Sequence, residues 1–143
     1  MLKRYYTDLV TSAAVGPKQA YRFFCNVDAW PEWSSVIHHA RLFGNGWEPG
    51  SFLLFMPRFS RLPPLPIMVR IMEVEPERSI TWGVKVPGGA LLHRFRFIPA
   101  EDGGCRIHHE EWSEGTLTLV AWPAGGLIRR FNDRFARELA EMF

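Results

Sequence analysis

The chain has 143 residues, enough for one domain with a substantial core and too few for two ordinary ones, so residues 1–143 are read as a single unit. Its 17 Lys and Arg against 15 Asp and Glu leave a formal net charge of +2 with both signs interspersed, which excludes the basic stripe of a nucleic-acid binder. No stretch approaches the roughly 18 apolar residues of a membrane span, MLKRYYTDLV lacks the apolar centre of a signal peptide, and Cys25 and Cys105 stand far apart, so a cytoplasmic protein without a disulfide framework or integral membrane segment is expected.

Residues 3–13 alternate loosely and predict a first strand. Pro17 then heads a helix, because Ala20, Phe23, Phe24 and Val27 follow at i, i+3, i+4, i+7 spacing; the expected range is 17–27. Asp28 caps a second short turn containing Trp30, Pro31, Glu32 and Trp33. Between Val36 and Ser113, short β-like runs are punctuated by Gly44-Asn45-Gly46, Pro49-Gly50, Pro76, Pro87-Gly88-Gly89 and Asp102-Gly103-Gly104. Six strands result, at 35–43, 51–56, 67–75, 79–85, 91–98 and 105–113, joined as an antiparallel meander. The segment Pro57–Pro66 holds four prolines and cannot carry a regular ladder; it is either an ordinary loop or a cover over a cavity mouth. After Gly115 the period changes. Leu127, Phe131, Phe135 and Leu139 form one apolar helical stripe, with Arg129, Arg130, Asp133, Arg134 and Arg137 on the remaining face. Pro123 and Gly125-Gly126 predict a break before that helix.

The hairpin Leu91–Gly115 carries the polar groups of greatest chemical interest. Leu91, His93, Phe95 and Phe97 share one face of its first strand, and Cys105, Ile107, His109 and Glu111 share a face of the second. Pairing Phe97 with Cys105 places His93 opposite His109, and a slip of two residues pairs His93 with Ile107 or with Glu111; the cluster stays compact in all three registers. An imidazole beside a carboxylate can shuttle a proton, so His93, His109 and Glu111 are the catalytic candidates. The same groups would equally hydrogen-bond one polar group of a mostly apolar ligand, or satisfy one another inside the sheet. Two histidines and a carboxylate make a metal triad only with close convergence and open positions, and neither a metal nor another cofactor is expected. His38 faces inward if Val36 and Ala40 do, whereas His108 and Arg70 face solvent. Trp33, Phe52, Leu54, Trp82, Phe95, Phe97, Leu119 and Trp122 are the candidate cavity liners, joining His38, His93, His109 and Glu111 as ligand-binding candidates; Trp30 and Trp47 are assigned to surface loops.

A strand, two short helices, a long meander and a helix that must bury its stripe on the sheet make an α+β layer arrangement. In that order the chain resembles the START-related SRPBCC superfamily, the helix-grip fold of the birch pollen allergen, and within it the polyketide cyclase/dehydrase-like branch. The resemblance rests on Pro17 heading a helix, DAWPEW at Asp28–Trp33, Gly50 before Phe52, VEPERSITW at Val74–Trp82, HRFRF at His93–Phe97 and GGCRIHHEEWSEG before the last helix. It implies a strongly curved seven-stranded antiparallel sheet around a long C-terminal helix, with a largely apolar cavity between them. It also implies binding of a small, mainly hydrophobic, aromatic or polyketide-like ligand by a monomer or homodimer. Two rivals are a cyclase/dehydrase acting on a poly-β-ketone, with His93, His109 and Glu111 as acid/base groups, and a protein-interaction module.

Overall fold

The computed structural model describes residues 1–59 and 61–143. The alternating runs form strands β1 (Lys3–Ala13), β2 (Ile37–Phe43), β3 (Phe52–Pro57), β4 (Ile67–Glu75), β5 (Ser79–Val86), β6 (Gly89–Pro99) and β7 (Cys105–Gly115). They make one antiparallel sheet in the order β1-β7-β6-β5-β4-β3-β2, a meander from β2 to β7 with β1 added beside β7. Because β1 and β2 lie on opposite edges, the chain must cross the whole sheet between them. It does so through helix α1 (Pro17–Cys25), a 3₁₀ turn (Val27–Ala29) and the one-turn helix α2 (Trp30–Trp33).

The expected break after β7 is present. Helix α3 (Thr116–Ala121) passes through a 3₁₀ turn at Trp122–Ala124 into the long helix α4 (Gly125–Glu141). Gly115 makes the sharp entry possible with a φ of +60°, and a β-carbon there would lie 1.9 Å from the Gly88 carbonyl oxygen. The curved sheet and α4 thus form the expected helix-grip arrangement.

Their shared core is aromatic. Phe24 is fully buried, with its ring centre 4.7 Å from Phe95, 5.2 Å from Trp30 and 6.0 Å from Trp82, while Trp30 lies 5.1 Å from Phe135. Trp30 therefore belongs to the core rather than to a surface loop, its indole N–H donating to the Phe24 carbonyl at 2.8 Å. Trp47 is half-buried against the same cluster and donates to the Cys25 carbonyl at 2.9 Å. Both tryptophans sit in segments without a strand or long-helix period, so only the packing shows where they point.

Two strands present faces other than those expected. In β3, Leu53 and Phe55 are buried while Phe52 is 45% exposed and Leu54 half-buried, so neither Phe52 nor Leu54 faces the core. Four consecutive apolar residues contain no period of two, and pairing of Leu53 with Val69 decides the parity. In β2 a bulge falls at His38, between the Ile37–Pro57 and His39–Met56 pairs. Ile37 and Ala40 are both buried as a result, and His38 is turned out to solvent. Arg70 is exposed on the convex face, as expected.

Candidate ligand site

The β6–β7 hairpin closes through a tight turn, with Ala100 N–H donating to the Gly104 carbonyl at 3.0 Å and Gly103 N–H to the Ala100 carbonyl at 3.2 Å. The compact turn lengthens both strands and pairs Pro99 with Cys105, Phe97 with Ile107, Phe95 with His109 and His93 with Glu111. The register is thus the two-residue slip in which His93 meets Glu111, not the one that sets His93 opposite His109. The polar cluster survives the shift because all its members keep their inward parity.

His93, His109 and Glu111 are all buried. His93 Nε2 lies 2.7 Å from Glu111 Oε1, and its Nδ1 lies 3.3 Å from His109 Nε2. A fourth member comes from α4: Asn132 Nδ2 donates to the same Glu111 Oε1. Flat rings enclose the imidazoles, with Phe95 stacked 4.0 Å from His109 and Trp82 stacked 5.4 Å from His93. Burial holds the His109 pKa well below its ordinary value of 6.5, the neighbouring His93 adds to the depression, and the Asn132 backbone partly opposes it. His109 is therefore neutral. One consistent proton assignment has its Nε2–H donating to His93 Nδ1, and His93 Nε2–H donating to Glu111.

Asn132 escaped the sequence reading, which followed the Leu127–Phe131–Phe135–Leu139 stripe. The available signal was a polar residue on the adjoining row Ile128–Asn132–Ala136, whose last member is fully buried.

The rings leave little free space. The void between sheet and α4 is about 10 Å³ and is bordered by Trp30, Trp82, His93, Phe131, Asn132 and Phe135 among others. A space of that size holds about one water molecule, so where a largely apolar cavity is expected the core is nearly filled. Phe131 and Phe135 fill it from the helix side, stacked on Phe55 at 6.2 Å and on Trp33 at 5.1 Å respectively. From the proline-rich segment, Phe59 lies 6.0 Å from Phe131, at one edge of the core; Ser60 lies outside the described residues.

Of the remaining candidates, Trp82 and His93 border the void, Phe95 packs on His109, and Trp33 is half-buried against Phe135. Phe97 is buried farther along β6, edge-on to Tyr21 at 5.6 Å. Leu119 and Trp122 do not line the core. They are 67% and 51% exposed, since α3 buries only Thr118, and the Arg4 guanidinium covers Trp122 at 4.1 Å. His38, Phe52 and Leu54 are likewise off the site.

Several polar atoms around the network have no hydrogen-bond partner among the described residues: Trp82 Nε1, Asn132 Oδ1, His109 Nδ1, Thr7 Oγ1 and Trp33 Nε1. Buried polar atoms are normally paired, and of these five only Trp82 Nε1 and Asn132 Oδ1 belong to residues that border the void. A second titratable cluster, Asp8, His108 and Glu110, lies on the convex face. Arg94 and Arg96 already share Glu110 Oε1 at 3.0 and 2.7 Å, which makes it an ion-pair network.

Among the described residues, no helix is long and apolar enough to cross a membrane. No curated protein matches the chain. Solved structures do: a major latex-like protein from Panax ginseng (13% identity, TM-score 0.76, 99% of this chain and 98% of that one); a START superfamily protein from Mycobacterium smegmatis (12%, 0.70, 95% and 94%); and norcoclaurine synthase from Thalictrum flavum (11%, 0.69, 99% and 93%). At such identities the likeness establishes the fold alone. The sequence profile of the family described as polyketide cyclase / dehydrase and lipid transport matches residues 7–141, and the chain accordingly belongs to that family, within the START-related SRPBCC superfamily.

Proposed function

We propose that the protein binds a small, mainly hydrophobic ligand between the concave sheet and α4, with Trp82, His93, Asn132 and Glu111 at the polar end of the site. The carrying observation is the incompletely paired polar network beside a void in an otherwise aromatic core. Entry requires Phe131 and Phe135 to move, and a flat apolar ligand would re-bury much of the surface they uncover, so the exchange forfeits little hydrophobic free energy. Contact is favoured over acid–base catalysis, because both His93 ring nitrogens are already engaged, Nε2 by Glu111 and Nδ1 by His109. A cyclase or dehydrase would need one of them released.

Native mass spectrometry of the protein purified from its own host tests this reading. A co-purified small molecule, lost when Phe131 is replaced by Trp to block the void, is the expected result; a chain that carries none and takes up no flat apolar probe overturns it. A second reading, docking of another protein chain, draws on the exposed Phe52, Met68 and Val84 around a depression of about 430 Å³ on the convex face. It predicts a concentration-dependent increase in mass instead.

A further inference from the structure

We infer that the protein docks on anionic lipid surfaces through the corner where α3 meets the start of β1, with Leu119, Val120 and Trp122 set among the headgroups and Lys3, Arg4, Arg129 and Arg130 facing the lipid phosphates. This surface is separate from the void between sheet and α4, and the inference stands without the ligand-binding reading. Helix α3 buries only Thr118, so its larger side chains are left outside the fold. Val120 is 74% exposed, and Leu119 and Trp122 are exposed beside it. Exposed Leu2 joins them, because Gly115 N–H at the entry to α3 donates to the Leu2 carbonyl at 2.7 Å. Large apolar side chains gathered on one corner make an interaction patch rather than scattered surface residues. Arg4 Nη1 donates to the Trp122 carbonyl at 3.1 Å, and its guanidinium covers the indole, which fixes a cation at the edge of the patch. An indole with one apolar side and one polar side is suited to the headgroup level of a bilayer.

The charge around the corner has one sign. Residues 1–7 and 115–131 contain Lys3, Arg4, Arg129 and Arg130 and no Asp or Glu, whereas carboxylates outnumber cations over the rest of the chain. Among the described residues none of these four forms an ion pair, in contrast to Arg94, Arg96 and Arg134. The flanking carboxylates are engaged or set back: Asp8 pairs with His108, Glu114 accepts from Trp112 Nε1, and Asp133 lies a turn beyond Arg129 on α4. Charge and apolarity together select the occupant. A second copy would bring the four cations of each chain together, and a stable protein interface takes roughly 20–30 residues a side. A nucleic acid would pair with the cations and leave aliphatic Leu119 and Val120 without a partner. An anionic bilayer takes both, since shallow insertion needs no shaped partner surface and each cation near the surface strengthens partitioning by about fivefold.

Vesicle flotation of the full chain tests this, with phosphatidylcholine vesicles alone and with phosphatidylserine as about one lipid in three. The expected result is flotation with the phosphatidylserine vesicles, at least about tenfold weaker on phosphatidylcholine alone and reduced to that level near molar salt, where the screening length is about 3 Å. Replacing Arg129 and Arg130 together by Gln should weaken partitioning by about 25-fold. Leu119→Ser combined with Val120→Ser should weaken it by at least about tenfold. Arg106→Gln combined with Arg137→Gln, an exposed pair away from the corner, should change it by less than about threefold. No flotation with either vesicle, equal losses from the two arginine pairs, or undiminished flotation of the serine variant overturns the inference. Binding of duplex DNA in place of the vesicles, or self-association in place of either, likewise overturns it. The comparison of vesicles runs on the unaltered chain, and circular dichroism checks that the variants, all at exposed positions, keep the fold.

Discussion

Four consecutive residues of β7, His108-His109-Glu110-Glu111, are dealt alternately to the two faces of one sheet, and the faces treat the same chemistry differently. Outward, His108 meets Asp8 at 2.5 Å, and Glu110 accepts from Arg94 and Arg96, whose side chains are 33% and 39% exposed. Inward, His109 and Glu111 join a network with His93 and Asn132 that contains no arginine or lysine and is enclosed by rings. For Glu110, burial pushes the carboxyl pKa up, but hydrogen bonds from Arg96 and Arg94 outweigh it and hold it below the ordinary value. For His109, burial simply removes the charge. A carboxylate at the half-wet face is managed with counter-ions, whereas an imidazole in the dry interior is managed by neutrality and hydrogen bonds.

The sharpest break in this symmetry is to remove one carboxylate at a time. Glu111→Ala leaves His93 Nε2 and Asn132 Nδ2 buried without their acceptor and should destabilise the protein by about 3 kcal/mol. Glu110→Ala lets two partly exposed guanidiniums rehydrate and should lose only about 1 kcal/mol. Urea denaturation of the two variants measures the difference; equal losses would show that the two faces are energetically alike.

Acid should separate the faces by pH. The folded His109 pKa is depressed, so below about pH 6.5 the unfolded chain binds a proton there that the native chain does not, and stability falls as pH drops. The folded Glu110 pKa is also depressed, so its contribution is present above the ordinary carboxylate value of 4.5 and is lost as pH falls through the folded value. Thermal melts from pH 8 to 3 should therefore show a shallow loss beginning near neutrality and a further loss in the carboxylate range. His109→Phe, which keeps a flat ring on Phe95, should flatten the first stage specifically. The smallest effect belongs to Asp8→Asn, an exchange at an exposed carboxylate paired with His108, which should shift stability by less than about 0.5 kcal/mol. A larger shift would reveal coupling between the convex network and the core.

The inward placement of His93, His109 and Glu111, and the outward placement of His108 and Arg70, were legible because alternation along a strand is a property of the backbone itself. Their pairing was not. His93 meets Glu111 rather than His109 because the turn through Ala100–Gly104 closes more tightly than Asp102-Gly103-Gly104 alone discloses. Phe52 and Leu54 were misplaced because the run Phe52-Leu53-Leu54-Phe55 has apolar residues on both faces, and His38 because a single-residue bulge resets parity without leaving a mark in composition. Leu119 and Trp122 failed for a third reason: in a short, broken helix, an apolar side chain does not report which way it points.

By itself, then, the amino-acid sequence determined the elements whose information is local: seven strands from alternation and turn residues, α4 from its four-residue stripe, the break at Pro123, and the helix-grip class from their order. Tertiary structure decided everything that needs two distant segments at once. It brought Asn132 of α4 onto Glu111 of β7, drew Trp30 into the core, and closed the space between sheet and helix to about 10 Å³. The physical reason is that periodicity encodes a direction for each side chain, while packing volume and hydrogen-bond partnership arise only where independently directed side chains meet.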